Sequence, residues 1–188
     1  LLAVRSFHLF IFGEFIMSMT HYMELLAQNQ PWNLILFMAI PVILAETVAI
    51  TELFILFSRQ FHGALRQVNR SASIVGGLYF CGVFVYLMAT AVIPLTSSGG
   101  WRGAADVIAV GFYLSGIVPL LGLALLDLGV IGKDRTDEGK LKLHATFVAI
   151  FLVVAHIAMI FGMLDPTLLM SQAPDAMHNM GSMPGMQH

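Results

Sequence analysis

Charge is what this chain has least of. Only 11% of its 188 residues are Asp, Glu, Lys or Arg, against 58% hydrophobic, and the mean hydropathy is +0.84. A soluble domain carries about a quarter charged residues to wet its surface. That excludes a water-soluble globule, and an integral membrane protein is expected. A net charge of -2 leaves no basic surface for nucleic acid. Cysteine is nearly missing too. Cys81 lies alone in an apolar run, so it can form no internal disulfide and has no zinc-type spacing around it. It reads as a small buried side chain. Catalytic signatures are absent: no Walker loop, no His-Glu-x-x-His, no Gly-x-Ser-x-Gly, no dinucleotide-binding glycines. Neither an enzyme nor a primary pump is expected.

What is present is long apolar runs. A membrane-crossing helix needs about 20 such residues. Four runs qualify: 33–57, 72–95, 104–131 and 141–164. Short connections between them predict antiparallel neighbours, so the expected fold is an all-α membrane bundle over 33–164. Pro41 and Pro119 fall inside spans, where they kink rather than break a helix. Gly76, Gly77 and Gly82 would let helices approach closely.

Orientation follows from the basic residues. Seven of the nine lie in two segments on one side: Arg59, Arg66 and Arg70, then Lys133, Arg135, Lys140 and Lys142. Those segments are expected in the cytoplasm. The tail from 165 onward, which has no Lys or Arg, is then periplasmic in a bacterial inner membrane, with Trp32 and Trp101 at the outer interface. Residues 17–32 form an interfacial segment. Residues 1–16 admit two readings. Gly13-Glu14 can be encoded by a ribosome-binding sequence ahead of Met17 or Met19, which makes the stretch translated upstream sequence. Otherwise it joins residues 17–32 as a fifth span.

The tail, 165–188, has little with which to build a core and is expected to be disordered. Yet Met177, Met180, Met183 and Met186 recur every third residue, with His178 and His188 beside them. Thioether sulfur favours Cu(I) and Ag(I) over hard cations. Soft-metal capture is one reading; a tail without a role is the other. The run resembles the methionine motifs of copper transporters and periplasmic copper-resistance proteins, which implies metal contact but not transport.

Ionisable groups inside spans are costly and need a reason. Glu52, Asp127 and His144 share one depth, and Glu46 and His156 another. Glu46, Glu52, Asp127 and His144 could carry protons or ions through the bundle, or form a structural hydrogen-bond network. His156, Met159 and Met163 fall at i, i+3 and i+7, on one helix face. They make a candidate Cu(I) set, or else a core histidine bonded to Glu46 or a backbone carbonyl, with two ordinary methionines. A second function class is a heme b electron-transfer subunit using His21 with His156, or His62 with His144. A third is an accessory subunit of a larger membrane complex.

The stretch "MTHYMELLAQNQPWNLILFMAIPVILAETVAITELFILFSR" (19–59) resembles the start of a small, uncharacterised family of bacterial inner-membrane proteins loosely labelled permeases. The resemblance implies that membrane and carries over no functional residue. The expectation is therefore a permease-like protein handling copper or silver ions, embedded in lipid. Four spans are few for a transporter, so a homo-oligomer or a membrane partner subunit is also expected.

Overall fold

The computed structural model describes residues 19–59 and 62–166. Residues 1–16 and the tail set Met177, His178, Met180, Met183, Met186 and His188 lie outside the described residues. Among those described, four helices are long and apolar enough to cross a membrane: α2 (Trp32–Ser58), α3 (Ala64–Ser98), α4 (Ala104–Asp127) and α5 (Asp137–Met163). A short helix, α1 (His21–Ala27), precedes them. Even α4, with 24 residues, runs about 36 Å at 1.5 Å per residue, enough for a hydrocarbon core about 30 Å thick. The chain is a multi-pass, all-helical membrane protein.

Several boundaries differ from the apolar runs: α3 runs on to Ser98 rather than 95, α5 begins at Asp137 rather than 141, and two others have a visible cause. α3 begins at Ala64 rather than 72, because Arg66 and Asn69 turn inward and find partners among the other helices. α4 stops at Asp127 rather than 131, where the chain turns and Gly129 takes a φ of +74°. Thr136 starts α5, its hydroxyl accepting from the Gly139 N–H at 3.2 Å. Asp137 and Glu138 follow in the first turn, where carboxylates suit the helix dipole.

Consecutive spans pack side by side, and the ring closes with α5 against α2, the sparsest of these contacts. Pro41 shapes α2. Its missing N–H leaves carbonyls of the preceding turn without helical partners, and residues Ile35–Ala39 widen into a π-turn. The freed oxygens are taken from outside the helix. The Tyr79 hydroxyl of α3 donates to the Leu36 carbonyl at 2.9 Å, and the Tyr113 hydroxyl of α4 donates to that of Phe37. A second π-turn, Met88–Val92, precedes Pro94 in α3.

α1 covers one end of the bundle. Thr20 caps it and also donates from its hydroxyl to the Gly162 carbonyl of α5 at 2.6 Å. Tyr22 lies so close to Gly162 that a Cβ there would meet its ring at 2.7 Å. Burial pushes the Tyr22 phenol up to about 12. Its neutral form is favoured in the folded state, so this contribution is complete below pH 10 and is lost as pH rises from about 10 to about 12. Between those values the thermal midpoint in detergent should fall, and Tyr22→Phe should flatten that part of the fall. An identical profile in the variant would mean that Tyr22 is not the titrating group.

Gly77 sets the closest approach of α3 to α4. A Cβ there would stand 2.5 Å from the Ala124 Cβ and 2.6 Å from the Leu120 carbonyl oxygen, whereas one at Gly82 would meet nothing within 4 Å. Gly77→Ala should therefore destabilise by about 1–3 kcal/mol through overpacking, with Gly82→Ala close to neutral. The comparison is read from thermal midpoints in one detergent, and equal midpoints would refute the close approach.

Candidate functional site

Each of the four spans sends a side chain to one point near the basic end. His144 of α5 is buried and lies between two carboxylates. Its Nδ1 bonds Glu52 of α2, and its Nε2 lies 2.8 Å from Asp127 Oδ2 of α4. Arg66 of α3 reaches Asp127 Oδ1 at 2.6 Å. Asn69, fully buried, donates from Nδ2 to the Val48 carbonyl at 3.1 Å and to the Thr51 hydroxyl at 2.9 Å. Ionised carboxylates only accept hydrogen bonds, so with both ionised each ring nitrogen of His144 carries a proton. Two positive and two negative groups then balance, which is how a low-dielectric interior tolerates charge. The expected layer of Glu52, Asp127 and His144 is thus a contact cluster. Arg66 and Asn69 belong to it as well, although the apolar runs place both in a connection.

A second cluster sits at the other end. Asp106, in the first turn of α4 and fully buried, accepts from the His21 backbone N–H at 2.6 Å and lies 2.5 Å from His21 Nδ1. The Arg102 N–H reaches Asp106 Oδ2 at 3.3 Å, and the Arg102 guanidinium pairs with Glu24 at 2.5 Å and with the Met19 carbonyl at 2.6 Å. These bonds hold α1 over the bundle. Neither Asp106 nor its pairing with His21 is visible in the sequence pattern.

Between the clusters lies a cavity of about 230 Å3 along the α2–α5 seam. Glu46 and Met38 of α2 and His156 and Met159 of α5 line it, with an aromatic wall that includes Tyr22, Phe80 and Tyr113. The expected pairing of Glu46 with His156 at one level becomes a shared cavity. His156 Nδ1 lies 2.6 Å from the Leu152 carbonyl oxygen. A carbonyl cannot donate, so Nδ1 bears the hydrogen and Nε2 is left as the group that can bind. Among the described residues no hydrogen bond reaches Glu46. Met163 departs from expectation: it does not line the cavity, although His156 and Glu46, which do, are exposed as it is. The helical spacing is right, but at that turn Tyr22 packs against Gly162. Met38 takes its place.

The described histidines are placed as follows. Both His144 nitrogens are engaged by carboxylates, and His21 Nδ1 is held by Asp106. His62 is exposed on a connection. His156 faces the cavity without a second histidine. Nor do three or more His, Cys, Asp or Glu converge as a metal site among the described residues. The thioethers of Met38 and Met159 are donors of another type.

A family model matches residues 17–178, most of the chain, and the protein belongs to that family, a family of unknown function (DUF6803). No curated protein and no solved structure matches it.

Asp127→Asn would leave two cations facing a single carboxylate. Breaking such a buried network costs about 3 kcal/mol or more, so the thermal midpoint should fall well below that of Glu46→Gln, which breaks no hydrogen bond seen among the described residues. Matching midpoints for the two variants would show that the cluster does not hold the spans together.

Proposed function

We propose that this is a permease-like protein of the bacterial inner membrane that handles a soft monovalent cation, Cu(I) or Ag(I), at the α2–α5 cavity. The hydrogen bond from His156 Nδ1 to the Leu152 carbonyl carries the proposal. It leaves Nε2 free to bind, on a histidine that lines the cavity with Met38 and Met159. Orientation of an imidazole by a backbone carbonyl is the usual second contact of a ligating histidine. One imidazole and two thioethers form a soft set that favours Cu(I) over hard cations. Glu46 supplies the negative charge that these neutral donors lack.

The remaining residues take supporting parts. The outward tail, with Met177, His178, Met180, Met183, Met186 and His188, collects the ion in the periplasm. Glu46, Glu52, Asp127 and His144 form the path for protons or ions through the bundle. A homo-oligomer or a membrane partner subunit completes the transporting unit, for which four spans are few.

The test is competition for Cu(I) between a chromophoric chelator and the full chain in detergent. Variants are Met38→Leu with Met159→Leu, His156→Ala, and a chain ending at residue 174. The truncated chain should keep one tightly held Cu(I), and the methionine pair and His156→Ala should each weaken it by roughly ten-fold or more. Metal lost entirely on truncation would move binding to the tail. Retention unchanged in both cavity variants would end the proposal for the cavity.

A further inference from the structure

The α2–α5 seam has a second opening at the basic end, a groove of about 700 Å3 that the metal reading does not use. Its walls are Leu53 and Leu56 on α2 and Ala145 and Ala149 on α5, and Glu52 of the buried cluster forms part of its floor. The small side chains at 145 and 149, one turn apart on α5, leave the space between the helices unfilled. Leu53 and Leu56 are themselves more than half exposed, so the groove opens sideways into the bilayer. Arg59, closing α2, and Lys142, in the second turn of α5, stand at its rim with Glu138. Among the described residues neither cation is ion-paired.

We propose that this groove binds one anionic glycerophospholipid, its phosphate between Arg59 and Lys142 and an acyl chain along the alanine wall. An unfilled gap would forfeit dispersion contacts on both walls, and the molecule at hand in a bilayer is lipid. Any lipid tail fills the apolar part. The rim decides the headgroup, because two cations against one carboxylate leave a net charge of one, which one phosphate diester matches. Basic pockets between spanning helices recognise anionic headgroups in this way. The occupant also keeps water from Glu52 and so protects the charge balance of the His144 cluster. The inference is independent of the metal reading, since it uses neither the cavity nor the tail.

Native mass spectrometry of the full chain, offered equal amounts of phosphatidylglycerol and phosphatidylcholine with the same acyl chains, tests it. The wild type should retain one phosphatidylglycerol with a preference of roughly ten-fold. Arg59→Gln with Lys142→Gln should abolish the preference. Ala149→Phe should fill the groove and reduce retention of both lipids, and Lys133→Gln, outside the groove, should change nothing. If the double variant fails to fold, Ala149→Phe and the wild-type preference still decide. Equal retention of the two lipids by the wild type, full retention by Ala149→Phe, or a double variant that keeps its preference would overturn the proposal. Protection of the lipid-free protein by inorganic phosphate to the same degree would also overturn it, by removing the acyl chain from the site.

Discussion

The bond on which this bundle depends is the one that His144 makes in both directions, to Glu52 and to Asp127. A bilayer offers no water to a buried polar group, so each must find its partner in the protein. Here the partners come from all four spans: Glu52 from α2, Arg66 from α3, Asp127 from α4 and His144 from α5. One helix sliding by a residue would turn its member away by about 100° at 3.6 residues per turn. The cluster therefore fixes register, which apolar packing alone specifies weakly because lipid tails compete equally for apolar faces. α5 is pinned at its other end by the Thr20 hydroxyl on the Gly162 carbonyl. Between the two pins, α5 and α2 touch only sparsely, and the cavity lies there; the groove shares Leu152 with it and runs on past His144 to the basic end.

Pro41 explains why the space falls on that side. A proline in mid-helix frees backbone oxygens, and in a membrane they must be satisfied by neighbours. Tyr79 and Tyr113 do this for Leu36 and Phe37. The tyrosines sit on α3 and α4, so the N-terminal half of α2 is bound toward those helices. Among the described residues no hydrogen bond ties that half of α2 to α5. The cavity with Met38, Glu46, His156 and Met159 occupies the unbound side. A single residue type at one position thus links sequence, a π-turn, two tertiary hydrogen bonds and the location of the candidate site.

The architecture was legible because it rests on quantities that a sequence displays directly: run length, charge scarcity and the depth of a residue within its span. Depth alone groups Glu52, Asp127 and His144, and the fold joins them. Partners that depend on which way a helix faces were not legible. Arg66 and Asn69 read as loop residues because basic side chains usually mark the interface. Their spacing with Ser73, at i, i+3 and i+7, is a polar stripe that would have extended α3 inward. Met38 lies on a different helix from His156, and no periodicity within one helix predicts which methionine faces across a seam. Met163 has the right periodicity, but the cavity does not reach its turn, where Tyr22, 141 residues away in sequence, packs against Gly162.

The two ends of the bundle are built from the same kit: two carboxylates, one arginine and one histidine. Glu24, Asp106, Arg102 and His21 make one set, and Glu52, Asp127, Arg66 and His144 the other. Each carboxylate in these sets has an arginine or a histidine within contact distance. Glu46, between them, has no ion pair among the described residues. An ionised Glu46 would attract a monovalent cation 4 Å away by about 4 kcal/mol at an effective dielectric of about 20. Proton, Na+ and Cu(I) would all feel that attraction, so charge alone does not choose among them. The choice falls to the other donors in the cavity. Na+ prefers oxygen, which the cavity offers from Glu46 and from tyrosine hydroxyls, whereas Cu(I) prefers the sulfur and nitrogen of Met38, Met159 and His156. In the proposed function the sulfur and nitrogen donors therefore select the ion, and Glu46 supplies the charge that balances it.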